Sequence, residues 1–406
     1  MNANVQLPQG VRDYIGQEAY CKRWAEQRAR ETFLMAGYEE VETPTFEYAT
    51  VFEDELGDLR RENMVHFFDA DGRMLTLRPD FTRPCARLIS ARARQFGAPV
   101  RVFYIGNAFG LEHNTGQTRR EFTQAGAELM GASGADADAE ILVLAQQLLR
   151  GMGLPRFVID IGHIGVFFGL LRACRLTGTQ ADRLRSLLDD KNEQEARDYL
   201  RTLAVDPALA EQFLLLPRMY GGMEVVQRAK ACFPLPACQQ ALEELQRICD
   251  ILRDYGLTDC ISVDLGLLNN MDYYTGTVFR AMAPGVGTML LSGGRYDSVL
   301  ESFGRPMPAT GFAMGIGRVL AALQKAGAWQ QQKTLDVLIG AAPGRTGQAL
   351  ALAAQLREQG RMAVVSFAHT WEEVAREASA RSVQELVWME ASGTCNPYKK
   401  EGETWM

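Results

Sequence analysis

The residues most able to do chemistry lie on short segments that alternate like strands. In EFTQAGAE, period-2 geometry puts Phe122, Gln124, Gly126 and Glu128 on one face. Gln124 and Glu128 would then point the same way, with Gly126 between them leaving room for a ligand. In LRPDFT, Asp80 and Thr82 share a face; in NNMDYYTG, Asp272 and Tyr274 share one and Tyr273 takes the other. A pocket of Asp80, Thr82, Gln124, Glu128 and these tyrosines is acidic and rich in acceptors. It suits an ammonium or imidazole group, whose N–H donors need acceptors. The competing reading is a set of solvated positions on half-exposed strands, and the residue pattern alone leaves both open.

Other chemistries find less support. LSGGRYD (291–297) matches neither a P-loop nor a dinucleotide fingerprint and reads as a tight turn before a helix. GAAPGRTGQ (340–348) reads as an ordinary strand-to-helix loop before it reads as an anion site. The four histidines, His66, His113, His163 and His369, have no GxSxG or HExxH context. The eight cysteines are scattered without a CxxC, so reduced thiols are expected and no metal site or cofactor is. The acidic pairs Asp189–Asp190 and Glu372–Glu373 read as solvated helix faces.

The elements that must position these residues follow from periodicity. QEAYCKRWAEQRARETFLMA (17–36) predicts an amphipathic helix closed by Gly37, and YEEVETP a strand stopped by Pro44. HFFDADGRMLTLRP has an Asp-Gly pair between two strand-like runs, and RVFYIGNAFGLEH with REFTQAGAELMG forms a second hairpin. Residues 177–255 are almost entirely helix-periodic. Strand runs DCISVDLGLL and DYYTGTVFRAMA follow, then an apolar helix, GFAMGIGRVLAALQKAG. WQQQK is the most linker-like stretch. Beyond it LDVLIGAA, GQALALAAQLREQG, RMAVVSFA and ELVWMEA alternate as strand, helix, strand, strand, which predicts a small parallel α/β domain. The expected fold class is α+β, with a body over residues 1–328 and a second domain over 334–406.

The chain has 406 residues, 47% hydrophobic and 23% charged, ordinary for a globular protein of two or three domains. Its 43 basic and 50 acidic residues give a net charge of −7, which weighs against a primary nucleic-acid binder. No apolar run reaches the length of a membrane span, and MNANVQLPQGVRDYIGQE lacks the layout of a secretory signal, so a cytoplasmic protein is expected.

Taken in order, Pro8-x-Gly10-x-x-Asp13, VETPTFE, LTLRPDFT, the strand–loop–strand ending REFTQAGAE, MDYYTGTVF, GGRYD and ATGFAMGIGR resemble the histidyl-tRNA synthetase family over residues 7–325. The resemblance implies the class II aminoacyl-tRNA synthetase fold, an antiparallel sheet flanked by helices. It also implies a dimer through the motif 1 region, which holds Pro44, and a helical insertion near 177–255. It implies that histidine is held at Asp80, Thr82, Gln124, Glu128, Tyr273 and Tyr274. Asp80 replaces a more usual glutamate, and Phe81 stands where glycine is usual, so Phe81 joins the predicted histidine-binding set.

Making an aminoacyl-adenylate develops negative charge at phosphorus, which fixed guanidinium groups must stabilise. By the resemblance, the motif 2 arginine falls on Gly110, the loop arginine after it on Thr118, and the histidine-specific arginine on Asn269. Arg318 matches the motif 3 arginine and is retained. Losing one such donor typically costs about 10²–10³ in rate. The pattern therefore predicts histidine binding without adenylation and no catalytic residues. This combination is similar to the regulatory subunits of ATP phosphoribosyltransferase, a family resembling histidyl-tRNA synthetase without its catalytic arginines. That family implies a cytoplasmic hetero-oligomer with a short-form catalytic subunit, which joins ATP to phosphoribosyl pyrophosphate in the first step of histidine biosynthesis. It also implies a part in histidine feedback. The final domain is short for an anticodon-binding domain and carries seven basic and nine acidic residues, so no tRNA partner is expected. Two alternatives stand beside this reading. One is an active, divergent synthetase using Arg119, Arg120 or Arg295 as substitute cations; the other is a synthetase-like paralogue with a different partner.

Overall fold

In the computed structural model, residues 6–52, 64–114, 117–268, 273–401 and 404–405 are described. The chain divides into two units, residues 1–330 and 331–406. In the first, the elements run α1 (Gly16–Met35), β1 (Glu39–Glu40), β2 (Phe46–Tyr48), β3 (His66–Phe68), β4 (Met74–Leu77), α2 (Thr82–Arg92), β5 (Val100–Asn114), β6 (Gln117–Met130), α3 (Ala135–Gly151), β7 (Val158–His163) and α4 (Gly165–Cys174). There follow α5 (Thr179–Asp189), α6 (Glu193–Thr202), α7 (Pro207–Leu215), β8 (Tyr220–Gly221), α8 (Val225–Cys232), α9 (Pro236–Asp254), β9 (Ile261–Asp264), β10 (Thr277–Met282), β11 (Leu291–Arg295), β12 (Ala309–Gly315) and α10 (Ile316–Lys325).

Nine strands form one sheet in the order β1-β5-β6-β12-β11-β10-β7-β9-β8. It is antiparallel except at β1–β5 and β7–β9, which pair in parallel. Alternation along each strand assigns its two faces different work. Phe103, Ala127, Leu129, Phe279, Phe312 and Met314 belong to the main apolar core, which also takes in buried residues of α1, α3, α4 and α9. Burying that face is what holds the sheet; the opposite face, with Tyr104, Gln124, Gly126, Glu128 and Gly311 in register, is left for the site. A separate three-stranded sheet, β2-β4-β3, is closed by a turn in which Asp69 Oδ1 accepts from the N–H groups of Asp71 (2.9 Å) and Arg73 (2.8 Å).

Several sequence expectations are corrected here. LSGGRYD is not a turn: Leu291–Arg295 is the central strand β11, between β10 and β12. A Cβ on Gly293 would lie 2.3 Å from the Gly311 carbonyl oxygen and 2.5 Å from the Phe279 ring, so the glycines mark close approach. GFAMGIGRVLAALQKAG is not all helix: its first residues belong to β12, and α10 starts at Ile316. Asp80 and Thr82 do not share a strand face, because β4 ends at Leu77 ahead of Pro79 and α2 begins at Thr82.

In the second unit, β13 (Val337–Ala341), α11 (Thr346–Glu358), β14 (Ala363–Val365), α12 (Trp371–Ala380), β15 (Glu385–Met389), β16 (Cys395–Glu401) and β17 (Thr404–Trp405) build a sheet in the order β14-β13-β15-β16-β17. The expected parallel pairing holds for β14-β13-β15, but β16 and β17 add antiparallel strands. Ala349 and Ala353 of α11 and Val374 and Ala378 of α12 fall in two different apolar clusters. The 340–348 segment is a βα loop in which the Arg345 Nε donates to the Ala391 carbonyl at 3.0 Å.

Candidate ligand-binding site

Glu128 is the centre of the site. Its two oxygens accept from Thr82 Oγ1 (3.0 Å), from the Tyr104 hydroxyl (3.4 Å) and from the Tyr296 hydroxyl. It is 1% exposed, and none of Asp80, Phe81, Thr82, Tyr273 and Tyr274 exceeds 8%. Burial pushes the Glu128 carboxyl up to about 8, against the pull of the Tyr296 and Thr82 hydroxyls. The close backbone needed for this comes from glycine: a Cβ on Gly311 would fall 1.8 Å from Glu128 Oε2.

Asp80 lies just before α2. Burial raises its carboxyl to about 6, opposed by the Arg83 guanidinium and by the nearby N–H groups of Arg83 and Thr82. Among the described residues, neither Asp80 oxygen nor Gln124 Oε1 accepts a hydrogen bond of good geometry. Buried acceptors of this kind are costly unless something supplies donors. Arg83 Nη1 itself donates to the Val51 carbonyl at 2.9 Å.

Aromatic rings wall the site. Phe81 stacks on Tyr104 with centroids 4.4 Å apart and planes at 6°, and the Arg78 guanidinium lies 4.0 Å from the centre of the Phe81 ring. Tyr273 and Tyr274 do not take opposite faces of a strand. They precede β10, their ring centroids are 4.9 Å apart, and both join the cluster of Phe81, Tyr104 and Tyr296. The room expected over Gly126 is also corrected, since the Tyr104 hydroxyl oxygen lies 2.3 Å from where a Cβ would stand. The structure thus brings Asp80, Phe81, Thr82, Glu128, Tyr273 and Tyr274 together, and register puts Gln124 on the same sheet face as Glu128.

Sequence reasoning missed Tyr104, Tyr296 and Arg78. Arg78 Nη1 donates to the Thr43 (2.6 Å) and Pro44 (3.2 Å) carbonyls and its Nε to the Asn107 carbonyl (2.8 Å), fixing the Pro44 segment beside β5. Only the arginine beside LRPDFT's proline was visible in the sequence; its partners lie 29 to 35 residues away.

The cationic positions look different. Gly110 falls where the β5–β6 register shifts, between Phe109 and Glu112, and the opposing Arg120 N–H donates to the Gly10 carbonyl at 2.8 Å. Arg295 is 6% exposed and directed into the protein: Nη2 donates to Asp138 Oδ1 (2.6 Å) and Nη1 to Asp297 Oδ1 (3.1 Å). Arg318 Nη1 donates to the Met289 carbonyl at 3.0 Å. A Cβ on Gly317 would meet Arg119 Nη1 at 2.8 Å, so Arg119 and Arg318 both lie by the β12–α10 junction. Asn269 and Asp272 lie outside the described residues, and Thr118 is described only by its backbone in β6. Among the described residues no cluster of three His, Cys, Asp or Glu side chains could hold a metal ion.

The mixed sheet with one face packed on helices and the other carrying the buried Glu128 cluster defines a class II aminoacyl-tRNA synthetase-like fold. Residues 10–319 match the family model of histidyl-tRNA synthetase. Curated relatives include an ATP phosphoribosyltransferase regulatory subunit of Ruminiclostridium cellulolyticum, 37% identical over 87% of this chain and 85% of the relative. One of the same description from Acetivibrio thermocellus is 38% identical over 88% and 85%. A solved structure described as an ATP phosphoribosyltransferase regulatory subunit/histidyl-tRNA synthetase from Bacillus halodurans is 29% identical, with a TM-score of 0.84 over 95% of this chain and 98% of that one. The chain belongs to the ATP phosphoribosyltransferase regulatory subunits, within the histidyl-tRNA synthetase-like family.

Proposed function

We propose that this chain is a non-catalytic subunit that a short-form ATP phosphoribosyltransferase requires for the first step of histidine biosynthesis, and that histidine bound to it takes part in feedback. The observation that carries the reading is the buried acceptor set around Glu128, with the Asp80 oxygens and Gln124 Oε1 accepting no hydrogen bond of good geometry among the described residues. A cationic amino acid supplies what those acceptors lack. The proposed histidine site is Asp80, Phe81, Thr82, Gln124, Glu128, Tyr273 and Tyr274, with aromatic rings packing the ligand.

Feedback through this site is a coupling free energy: histidine must bind the inhibited arrangement of the complex more tightly than the active one, typically by about 5- to 150-fold. The chain's own aminoacylation activity is proposed absent, together with any tRNA partner. Self-association through the Pro44 region and a cytoplasmic location complete the proposal. Among the described residues no helix is long and apolar enough to cross a membrane.

Reconstitution with a short catalytic chain tests activation and feedback together. Phosphoribosyl transfer to ATP is expected only when both chains are present, and millimolar histidine should depress it. A catalytic chain equally active alone overturns the activation claim, and a complex indifferent to histidine overturns the sensor claim. The pair Arg119 and Arg318 near one junction favours a second reading, an active divergent synthetase. Robust histidine-dependent ATP–pyrophosphate exchange by the chain would establish it.

A further inference from the structure

Glu128 carries more hydrogen bonds than a carboxylate reserved for a ligand needs. Thr82 and Tyr104 donate to Oε1, and Tyr296 donates to Oε2. The two phenols come from different strands: Tyr104 lies on β5, beside β6, and Tyr296 immediately follows β11. Each is itself held by a ring of the pocket. Phe81 lies flat on Tyr104, and Tyr273 meets Tyr296 edge-on at 6.0 Å and 86°. The backbone accommodates them at glycines, Gly126 under the Tyr104 hydroxyl and Gly311 beside Glu128 Oε2.

We propose that Tyr104 and Tyr296 are positioning residues of this pocket: by donating to the Glu128 carboxylate from two strands they fix it in one orientation and stabilise its charge. Ligand affinity follows through Glu128, and only that consequence rests on the histidine reading above.

The physical basis is a balance of opposed effects on one carboxylate. Full burial disfavours its charged form, whereas each hydroxyl that donates to it favours that form. Among the described residues, the groups interacting electrostatically with Glu128 include the carboxyl of Asp80, the thiol of Cys85 and the phenols of Tyr38, Tyr273 and Tyr274, and the Arg78 guanidinium lies beyond the Phe81 ring. The largest effects opposing burial are the hydrogen bonds from the Tyr296, Thr82 and Tyr104 hydroxyls. With the donors present, burial still holds the Glu128 carboxyl up at about 8. Removing a phenol hydroxyl moves its ionisation to still higher pH. An N–H donor of the ligand then finds less carboxylate to bind at pH 7, and the deficit shrinks as pH rises.

The full-length variants Y104F and Y296F test this, since phenylalanine keeps the ring and removes only the donor. Carboxyl carbon NMR follows the Glu128 titration directly, its signal assigned by its loss in E128Q. The midpoint is expected to rise in both variants, and further in Y296F. Calorimetry with histidine is expected to give an affinity about tenfold below that of the parent at pH 7, the equivalent of a hydrogen bond to a charged group. The ratio of variant to parent should approach unity by pH 9; taking the ratio at each pH cancels the ligand's own titration. An unmoved midpoint in both variants overturns the proposal, as does an affinity deficit that is the same at both pH values. If the parent binds no histidine, the functional reading fails while the carboxyl titration still decides the role of the phenols. Y104F, which loses the longer contact, keeps the test available if Y296F does not fold.

Discussion

The floor around Glu128 and the arginines of the same unit treat charge in opposite ways. At the floor, three hydroxyls converge on one buried carboxylate, and the Asp80 carboxylate and Gln124 carbonyl have no well-formed hydrogen bond among the described residues. Around it, guanidinium groups are turned into the protein: Arg295 onto Asp138 and Asp297, Arg78 onto backbone carbonyls, Arg318 onto the Met289 carbonyl. At Gly110 the register of the β5–β6 hairpin shifts. On the proposed reading, recognition and catalysis are separable on this architecture. Acceptors that suit a cationic amino acid are compatible with arginines engaged in holding elements together, whereas adenylate formation needs guanidiniums free to meet a phosphate.

The largest expected effect sharpens that contrast. Arg295 joins the start of α3 to β11 through a pair buried to within 7% exposure on both side chains. Removing one partner of a buried pair leaves an uncompensated charge and costs about 3–5 kcal/mol. R295A should therefore lose about that much in denaturant unfolding. A variant that keeps full stability would return Arg295 to the list of candidate catalytic cations.

The next effect belongs to the floor and depends on pH. Asp80 titrates near 6 in the folded chain, above its value of 3.8 when unperturbed. Between these values the folded chain holds a proton that the unfolded chain has released, so stability falls as pH rises from about 4 to 6 and stays lower above. At about 1.4 kcal/mol per pKa unit, the total is about 3 kcal/mol. D80N should lack this decline, so its stability relative to the parent improves by up to that amount between pH 4 and pH 7.5. Parallel pH profiles for the two proteins would mean that Asp80 is effectively solvated, and the contrast between floor and arginines would weaken.

How much of this was legible in the sequence varied with range. The shared face of Gln124, Gly126 and Glu128 follows from strand periodicity, a local property, and the register agrees. The alternation around Asp80 and Thr82 predicts a strand, but Pro79 follows the end of β4 and α2 takes over. Gly293 and Gly294 look like a turn because nothing local shows that Gly311, Phe279 and Tyr274 will crowd them. Tyr104 reaches Glu128 across the β5–β6 hairpin from 24 residues away, whereas Tyr296 comes from 168 residues away, a contact that only the assembled sheet creates. The catalytic positions were located by order of motifs rather than by geometry. The fate of Arg295 was decided by Asp138, 157 residues distant.

The smallest expected effect asks whether the aromatic wall belongs to the floor or merely to the core. Phe81 stands where the resembling synthetases usually have glycine, and here it lies between the Arg78 guanidinium and the Tyr104 ring. Its contact with Tyr104 is a flat stack, worth about 0.5–1.5 kcal/mol beyond area burial. F81L keeps an apolar side chain of similar bulk but loses that stack, so thermal unfolding should report a loss of about 1 kcal/mol. Tyr104 would also lose the surface that orients its hydroxyl toward Glu128, a contact already long at 3.4 Å. Histidine affinity should therefore fall by a small factor, with the Glu128 titration shifted in the same upward direction as in Y104F. Stability lost with affinity and titration unchanged would assign Phe81 to packing alone, and Tyr104 would then be held by the strand that carries it.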